Sequence, residues 1–165
     1  MRIHSLILAA AAAMLSFPAF ADDGPHIENA YARVGGTGSG AVFFEIVNHS
    51  DQPDRLIAAA SDVAARVELH THKEDANGVM QMLEVKEGFP IDGKGSRALS
   101  RGGDHVMLLG LTKPLAQGDI VTLTLSFERG EVVTVEVPVD NDRKPDHGAM
   151  GRRDHSGHGM KAPTN

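Results

Sequence analysis

Three pairs of histidine and methionine residues are the part of this 165-residue sequence best suited to chemistry. They lie between Glu68 and Leu111, and the two members of each pair are two positions apart: His70/His72, Met80/Met82 and His105/Met107. Imidazole nitrogen and thioether sulfur, without thiolate or carboxylate, suit Cu(I) better than zinc, magnesium or calcium. The pairs therefore predict a copper(I) site.

The spacing of these pairs also predicts what positions them. Side chains alternate along a β-strand, so two residues that are two positions apart lie on the same face. Asn77-Gly78 is a strong tight-turn signal, and it predicts a hairpin that brings the first histidine pair near the methionine pair. In the third segment Val106 and Leu108 alternate with the ligand pair, so the apolar residues are expected to face the core and the ligands to face outward.

The rest of the chain has the pattern of an all-β protein. Ile120–Phe127 and Glu131–Val139 alternate between apolar and polar residues, and glycine-rich turns separate the segments. We predict seven to nine short strands, no amphipathic helix, and an antiparallel sandwich or Greek-key barrel.

Three regions are predicted along the chain. Residues 1–21 have a basic start, a short apolar stretch and an Ala19-Phe20-Ala21 end, which is typical of a cleaved signal peptide. Residues 22–139 form the single barrel domain, and no later segment is apolar enough to span a membrane. Residues 140–165 lack aromatic and branched aliphatic side chains and are predicted to be a disordered tail.

The tail nevertheless contains potential ligands, namely His147, Met150, His155, His158 and Met160. A simple solvated terminus and an auxiliary copper site are both compatible with this composition.

Composition excludes several classes of function. The chain has no cysteine, so it is not a thiol redox protein, a Cys-ligated zinc module or a blue-copper electron carrier. The signal peptide contains one basic residue and no acidic one, so the net charge of −6 becomes −7 after cleavage. That charge argues against nucleic acid as a partner. No serine lies in a Gly-x-Ser-x-Gly motif, and we predict that the protein is not an enzyme.

Three segments resemble the periplasmic copper chaperones of the PCuAC type: Glu68–His72, Gly78–Met82 and Gly102–Leu111. The resemblance extends over nearly all of Ala30–Val139. It implies a cupredoxin-like β-barrel that carries Cu(I) in the bacterial periplasm and helps to load the copper centres of cytochrome oxidase.

Matching the family motif residue by residue implies four ligands, His70, Met82, His105 and Met107. His72 and Met80, which neighbour the matched residues, become alternates. The gaps on either side of Met82 are each one residue longer than in the family, so Met80 and Met82 both stay open as the methionine ligand of this strand. The resemblance also suggests that a His/Met-rich tail holds an additional copper, as Cu(II) through imidazoles.

The expected partner is a copper-accepting membrane oxidase subunit or another periplasmic copper or thiol assembly protein, and the chain is expected to be a monomer. Since only neutral imidazoles bind metal, the affinity should weaken as the pH falls through the histidine range. Copper buffering or resistance, in which the same site stores copper, is the alternative function.

Overall fold

A computed structural model describes residues 24–36 and 38–144, which form ten β-strands and no helix. The strands are β1 (Pro25–Val34), β2 (Ser39–Asn48), β3 (Asp54–Ala60), β4 (Ala64–Glu74), β5 (Met80–Glu84), β6 (Phe89–Ile91), β7 (Ser96–Leu99), β8 (His105–Leu111), β9 (Ile120–Phe127) and β10 (Val132–Pro138). The predicted all-β sandwich is confirmed, with ten strands in place of the predicted seven to nine.

Two antiparallel sheets pack face to face. The first, here called the site sheet, has the order β1-β2-β8-β4-β5, and β7 pairs with the second half of β2. The second, the back sheet, has the order β10-β9-β3-β6. Since β8 and β4 are neighbours and β5 follows β4, all the strands with predicted ligands adjoin one another.

The core lies between the sheets and follows directly from the alternation in the sequence. On β9 the buried residues Val121, Leu123, Leu125 and Phe127 alternate with polar residues. On β8 the fully buried Val106 and Leu108 face the same core. Because this face of β8 points inward, its histidine and methionine lie on the outer face of the site sheet, as the spacing predicts.

The strand that sequence reasoning missed is β6. It contains only three residues, and its central residue is Pro90, which cannot donate a ladder hydrogen bond. Phe89 and Ile91 are nonetheless almost completely buried, and β6 pairs with β3 at the end of the back sheet. A proline within so short an apolar segment masks its strand character, although proline is tolerated in an edge strand.

The predicted hairpin between β4 and β5 is confirmed. Gly78 has a φ of +80°, which a glycine adopts without strain. The carboxylate of Asp75 accepts hydrogen bonds from the backbone N–H groups of Asn77 and Val79, at 2.8 and 3.0 Å. These two bonds hold the pKa of Asp75 below its usual value, and the bond from Val79 contributes more than the bond from Asn77. The turn fixes the register in which His72 lies opposite Met82.

The first residues of the predicted tail contact the barrel. The backbone N–H of Asp140 donates to the carbonyl oxygen of Ala32 at 2.8 Å, and the side chain of Asn141 accepts from the N–H of Val34 at 2.9 Å. The predicted signal peptide and the remainder of the tail, residues 145–165, lie outside the described residues. The described part of the chain has no helix long and apolar enough to cross a membrane.

Candidate metal centre

All six predicted ligands lie on the outer face of the site sheet, because strand register aligns them. His70 on β4 is directly opposite His105 on β8, and His72 is opposite Met82 on β5. Met107 on β8 lies opposite Glu68 on β4, which is two residues before His70. Directly paired residues share a face, so the register alone brings the three strands' ligands together.

A pocket of about 330 Å³ opens on this face, and we call it the His/Met pocket. Its wall includes three of the four residues assigned by resemblance and one alternate: Met82, His105, Met107 and His72. No carboxylate lines it, and the remaining wall is glycine, alanine, serine, Phe43 and two arginines. A larger pocket of about 460 Å³ near Leu111 and Pro114 contains none of the predicted ligands.

His105 is the most buried of the six residues, with only 2% of its surface exposed. It faces away from the core as predicted, but the rings of His72 and Phe43 cover it, with centroids 5.1 and 6.1 Å away. Its Nδ1 lies 3.0 Å from the carbonyl oxygen of Gly103, which can only accept, so Nδ1 carries the proton. Nε2 is then the nitrogen with the free lone pair.

Burial is the main cause that lowers the pKa of His105, and the nearby His72 and His70 lower it further. The hydrogen bond to Gly103 acts in the opposite direction. Since the net change is downward, the imidazole stays neutral over a wider pH range than an exposed histidine. Neutral imidazole is the form that binds a metal.

The two histidines of β4 differ in their surroundings. The ring of His72 stacks on that of His105 at an interplanar angle of 28°, and its Nδ1 lies 3.4 Å from the oxygen of Gly103. The ring of His70 is inclined at 65° to that of His105, with the centroids 5.9 Å apart. Nε2 of His70 lies 2.9 Å from a carboxylate oxygen of Glu68.

The two methionines of β5 also differ in their surroundings. Met82 is 46% exposed and lines the His/Met pocket, whereas Met80 is 55% exposed and does not line it. Within residues 24–36 and 38–144, no group of three or more His, Asp or Glu side chains is placed to hold a metal ion. The side chains that line the His/Met pocket include two imidazoles and two thioethers. The predicted tail ligands lie outside the described residues.

Several residues of the site were not found from the sequence. Arg33 and Arg101 line the pocket, and each donates from Nη1 to the carbonyl oxygen of Arg143, at 3.2 and 3.3 Å. Glu68 is not among the predicted site residues, although it contacts His70. Its position two residues before His70, on the same face of β4, is the signal that could have found it.

Comparison with known proteins places the chain in a family. A family model described as "Putative lipoprotein LpqE-like" matches residues 25–139, which is most of the chain. The chain belongs to the LpqE-like family. One relative, "Putative lipoprotein Lxx21020" of Leifsonia xyli subsp. xyli, is 34% identical over 117 residues, and the match covers 71% of this chain and 70% of that protein.

Solved structures similar to this LpqE-like chain are copper-binding domains. The solution structure of CuI-DR1885 from Deinococcus radiodurans is 31% identical, with a TM-score of 0.54, over 70% of this chain and 79% of that one. The copper-bound PCuAC domain from PmoF2 is 25% identical, with a TM-score of 0.56, over 69% and 90% of the two chains. The LpqE-like chain therefore has a PCuAC-like fold, as the resemblance implied.

Proposed function

We propose that this protein is an exported copper(I) carrier that binds its cargo in the His/Met pocket and passes it to a copper enzyme. The observation that carries the proposal is the donor set, two imidazoles and two thioethers on one face of the site sheet with no carboxylate in the pocket wall. These are soft and borderline neutral ligands, which favour a monovalent soft ion over the harder divalent ions.

The ligands proposed are Met82, His105 and Met107, with a histidine of β4 completing the set. His105 is preorganised, because Gly103 fixes its tautomer and its pKa is lowered. Met82 lines the pocket and is nearly half exposed. A weak ligand that is accessible from solvent allows an acceptor to replace it first, so the cargo can leave by stepwise ligand exchange.

The similar structures support the same function, since their names state copper bound to a PCuAC domain and Cu(I) bound to DR1885. The relative from Leifsonia xyli is named a lipoprotein, which supports export and agrees with the predicted signal peptide. We place the carrier in the periplasm, and a membrane subunit of cytochrome oxidase or a periplasmic assembly protein is its proposed recipient.

Anaerobic titration with Cu(I), in competition with a chromophoric chelator, tests the proposal. We expect one tightly bound Cu(I) at the barrel, and X-ray absorption of the loaded protein should show both sulfur and nitrogen neighbours. The same measurement on a chain that ends at Lys144 should keep that copper, because the pocket lies within the described barrel. Ligation by nitrogen and oxygen alone would contradict the proposal.

The tail is proposed to hold a second copper, as Cu(II), through its histidines. The full chain should then bind one more copper than the chain that ends at Lys144, and an electron paramagnetic resonance signal should accompany it. Equal stoichiometry and no signal in the full chain would contradict the second site.

Delivery and storage use the same pocket and differ in the consequence of losing the protein. In a host strain that lacks the gene, delivery predicts reduced cytochrome oxidase activity at limiting copper, restored by added copper. Storage predicts normal oxidase activity and lower tolerance of excess copper. Normal oxidase activity together with lower copper tolerance would support storage and contradict delivery.

A further inference from the structure

The ring nitrogen Nδ1 of His70 is unusual in this molecule. Among residues 24–36 and 38–144, it is the only buried side-chain nitrogen or oxygen without a hydrogen-bond partner. Leaving a buried polar atom unpaired costs about 1–3 kcal/mol, and most native proteins avoid it. An unpaired nitrogen on a residue that the resemblance assigns as a ligand is therefore an observation that needs a cause.

Glu68 determines which nitrogen of His70 is left unpaired. An ionised carboxylate can only accept hydrogen bonds, so Nε2 of His70 carries the proton and donates it to Glu68 at 2.9 Å. Nδ1 is consequently the unprotonated nitrogen, with its lone pair available. The second oxygen of Glu68 accepts from Nη1 of Arg66 at 2.8 Å, so the carboxylate is held from both sides.

His72 lines the His/Met pocket and His70 does not, but the orientation of the rings favours His70 over His72 as the donor that acts with His105. A metal lies in the plane of each imidazole that binds it, along the lone pair of a ring nitrogen. The ring of His72 is stacked on that of His105 with the centroids 5.1 Å apart, so the two ring planes are nearly parallel and do not meet close to either ring. The ring of His70 is inclined to that of His105 and lies opposite it in the strand register, which allows convergence.

We propose that Glu68 is a positioning residue for copper(I): it accepts the Nε2 proton of His70 and thereby presents the Nδ1 lone pair of His70 to the metal. This inference rests on the proposed function, and it adds a residue that does not itself contact the cargo. A carboxylate that binds the second nitrogen of a ligating histidine is a common device in metal sites, and it fixes both tautomer and ring orientation.

The simpler interpretation is that Glu68 and His70 only satisfy each other as a partly buried ion pair. That interpretation accounts for the bond between them and gives no reason for the unpaired Nδ1. The two interpretations also differ in their consequences. A purely structural pair affects stability when it is broken, whereas a positioning residue affects the tautomer of His70 and the affinity for copper.

The test compares Glu68→Leu with two controls. Glu68→Gln keeps an acceptor oxygen in the same place. Glu84→Leu removes the same charge from the residue directly opposite His70 on β5, whose side chain pairs with Lys86 and not with His70. Each variant is made in the full chain, and its thermal unfolding is recorded to show that it folds.

Two quantities are measured. The first is the protonation of each ring nitrogen of His70 in the metal-free protein, from nitrogen-15 long-range correlation spectra. We expect one tautomer, protonated at Nε2, in the wild-type protein, in Glu68→Gln and in Glu84→Leu, and a mixture in Glu68→Leu. The second is Cu(I) affinity, which should fall about 10- to 100-fold in Glu68→Leu, less in Glu68→Gln, and remain unchanged in Glu84→Leu.

The inference is overturned if Glu68→Leu keeps the wild-type tautomer and affinity, or if Glu84→Leu loses as much affinity as Glu68→Leu. If Glu68→Leu is too unstable to measure, an unprotonated Nε2 of His70 in the wild-type protein would overturn it equally. Failure of the proposed function gives a different result, because the wild-type protein would then bind no Cu(I) while the tautomer of His70 stayed measurable.

Discussion

Replacing Met82 and Met107 together by leucine should lower the affinity for Cu(I) by more than about 100-fold, because both soft ligands are removed from the His/Met pocket. Leucine preserves most of the volume of methionine, and such exchanges usually cost less than about 1.5 kcal/mol of stability. Competition with a Cu(I) chelator measures the affinity, and the unfolding midpoint shows that the barrel is intact.

Met80→Leu is the matched control for this double variant. Met80 lies on the same strand and the same face as Met82, two residues away, but it does not line the pocket. Its replacement should leave the affinity close to that of the wild-type protein. A double variant with unchanged affinity would exclude the proposed function. If Met80→Leu lost affinity and Met82→Leu did not, the methionine ligand would instead be Met80.

Gly88→Ala should strongly destabilise the fold, with a loss of about 3 kcal/mol or more in the free energy of unfolding. Gly88 has a φ of +76°, and an added Cβ would overlap the carbonyl oxygen of Leu56. Leu56 is fully buried and pairs with both β6 and β9. Relief of the overlap therefore requires the back sheet to move. Denaturant unfolding measures the loss.

Gly118→Ala isolates the contribution of backbone conformation alone. Gly118 has a φ of +88° and nothing lies within 4 Å of the position of an added Cβ. Its replacement should cost only the left-handed strain of about 1–2 kcal/mol. If Gly88→Ala and Gly118→Ala lost the same free energy of unfolding, the overlap at Leu56 would be relieved without movement of the back sheet, and this prediction would be wrong.

The sequence predicts the fold wherever one strand face is buried, because alternation then appears in the residues themselves. Val121 to Phe127 is a clear example, and the Asn77-Gly78 turn predicts the β4–β5 hairpin. The short strand around Pro90 has too few residues to show alternation, so only its contacts reveal it.

At the candidate site, the residue types predict the kinds of ligand, and spacing by two predicts the face on which these residues lie. It does not distinguish His70 from His72, since both satisfy the same spacing. The difference between them arises from ring orientation and from contacts with Glu68 and Gly103. Gly103 acts through a backbone carbonyl group, which no pattern of side chains shows.

The position of Arg143 decides where the chain can be shortened without disturbing the pocket. Its carbonyl oxygen accepts hydrogen bonds from Arg33 and Arg101, both of which line the His/Met pocket. A chain that ends at Val139 would leave these two guanidinium groups without that acceptor, whereas a chain that ends at Lys144 keeps it. Copper affinities of shortened and full-length chains are therefore comparable only when residues 140–144 are retained.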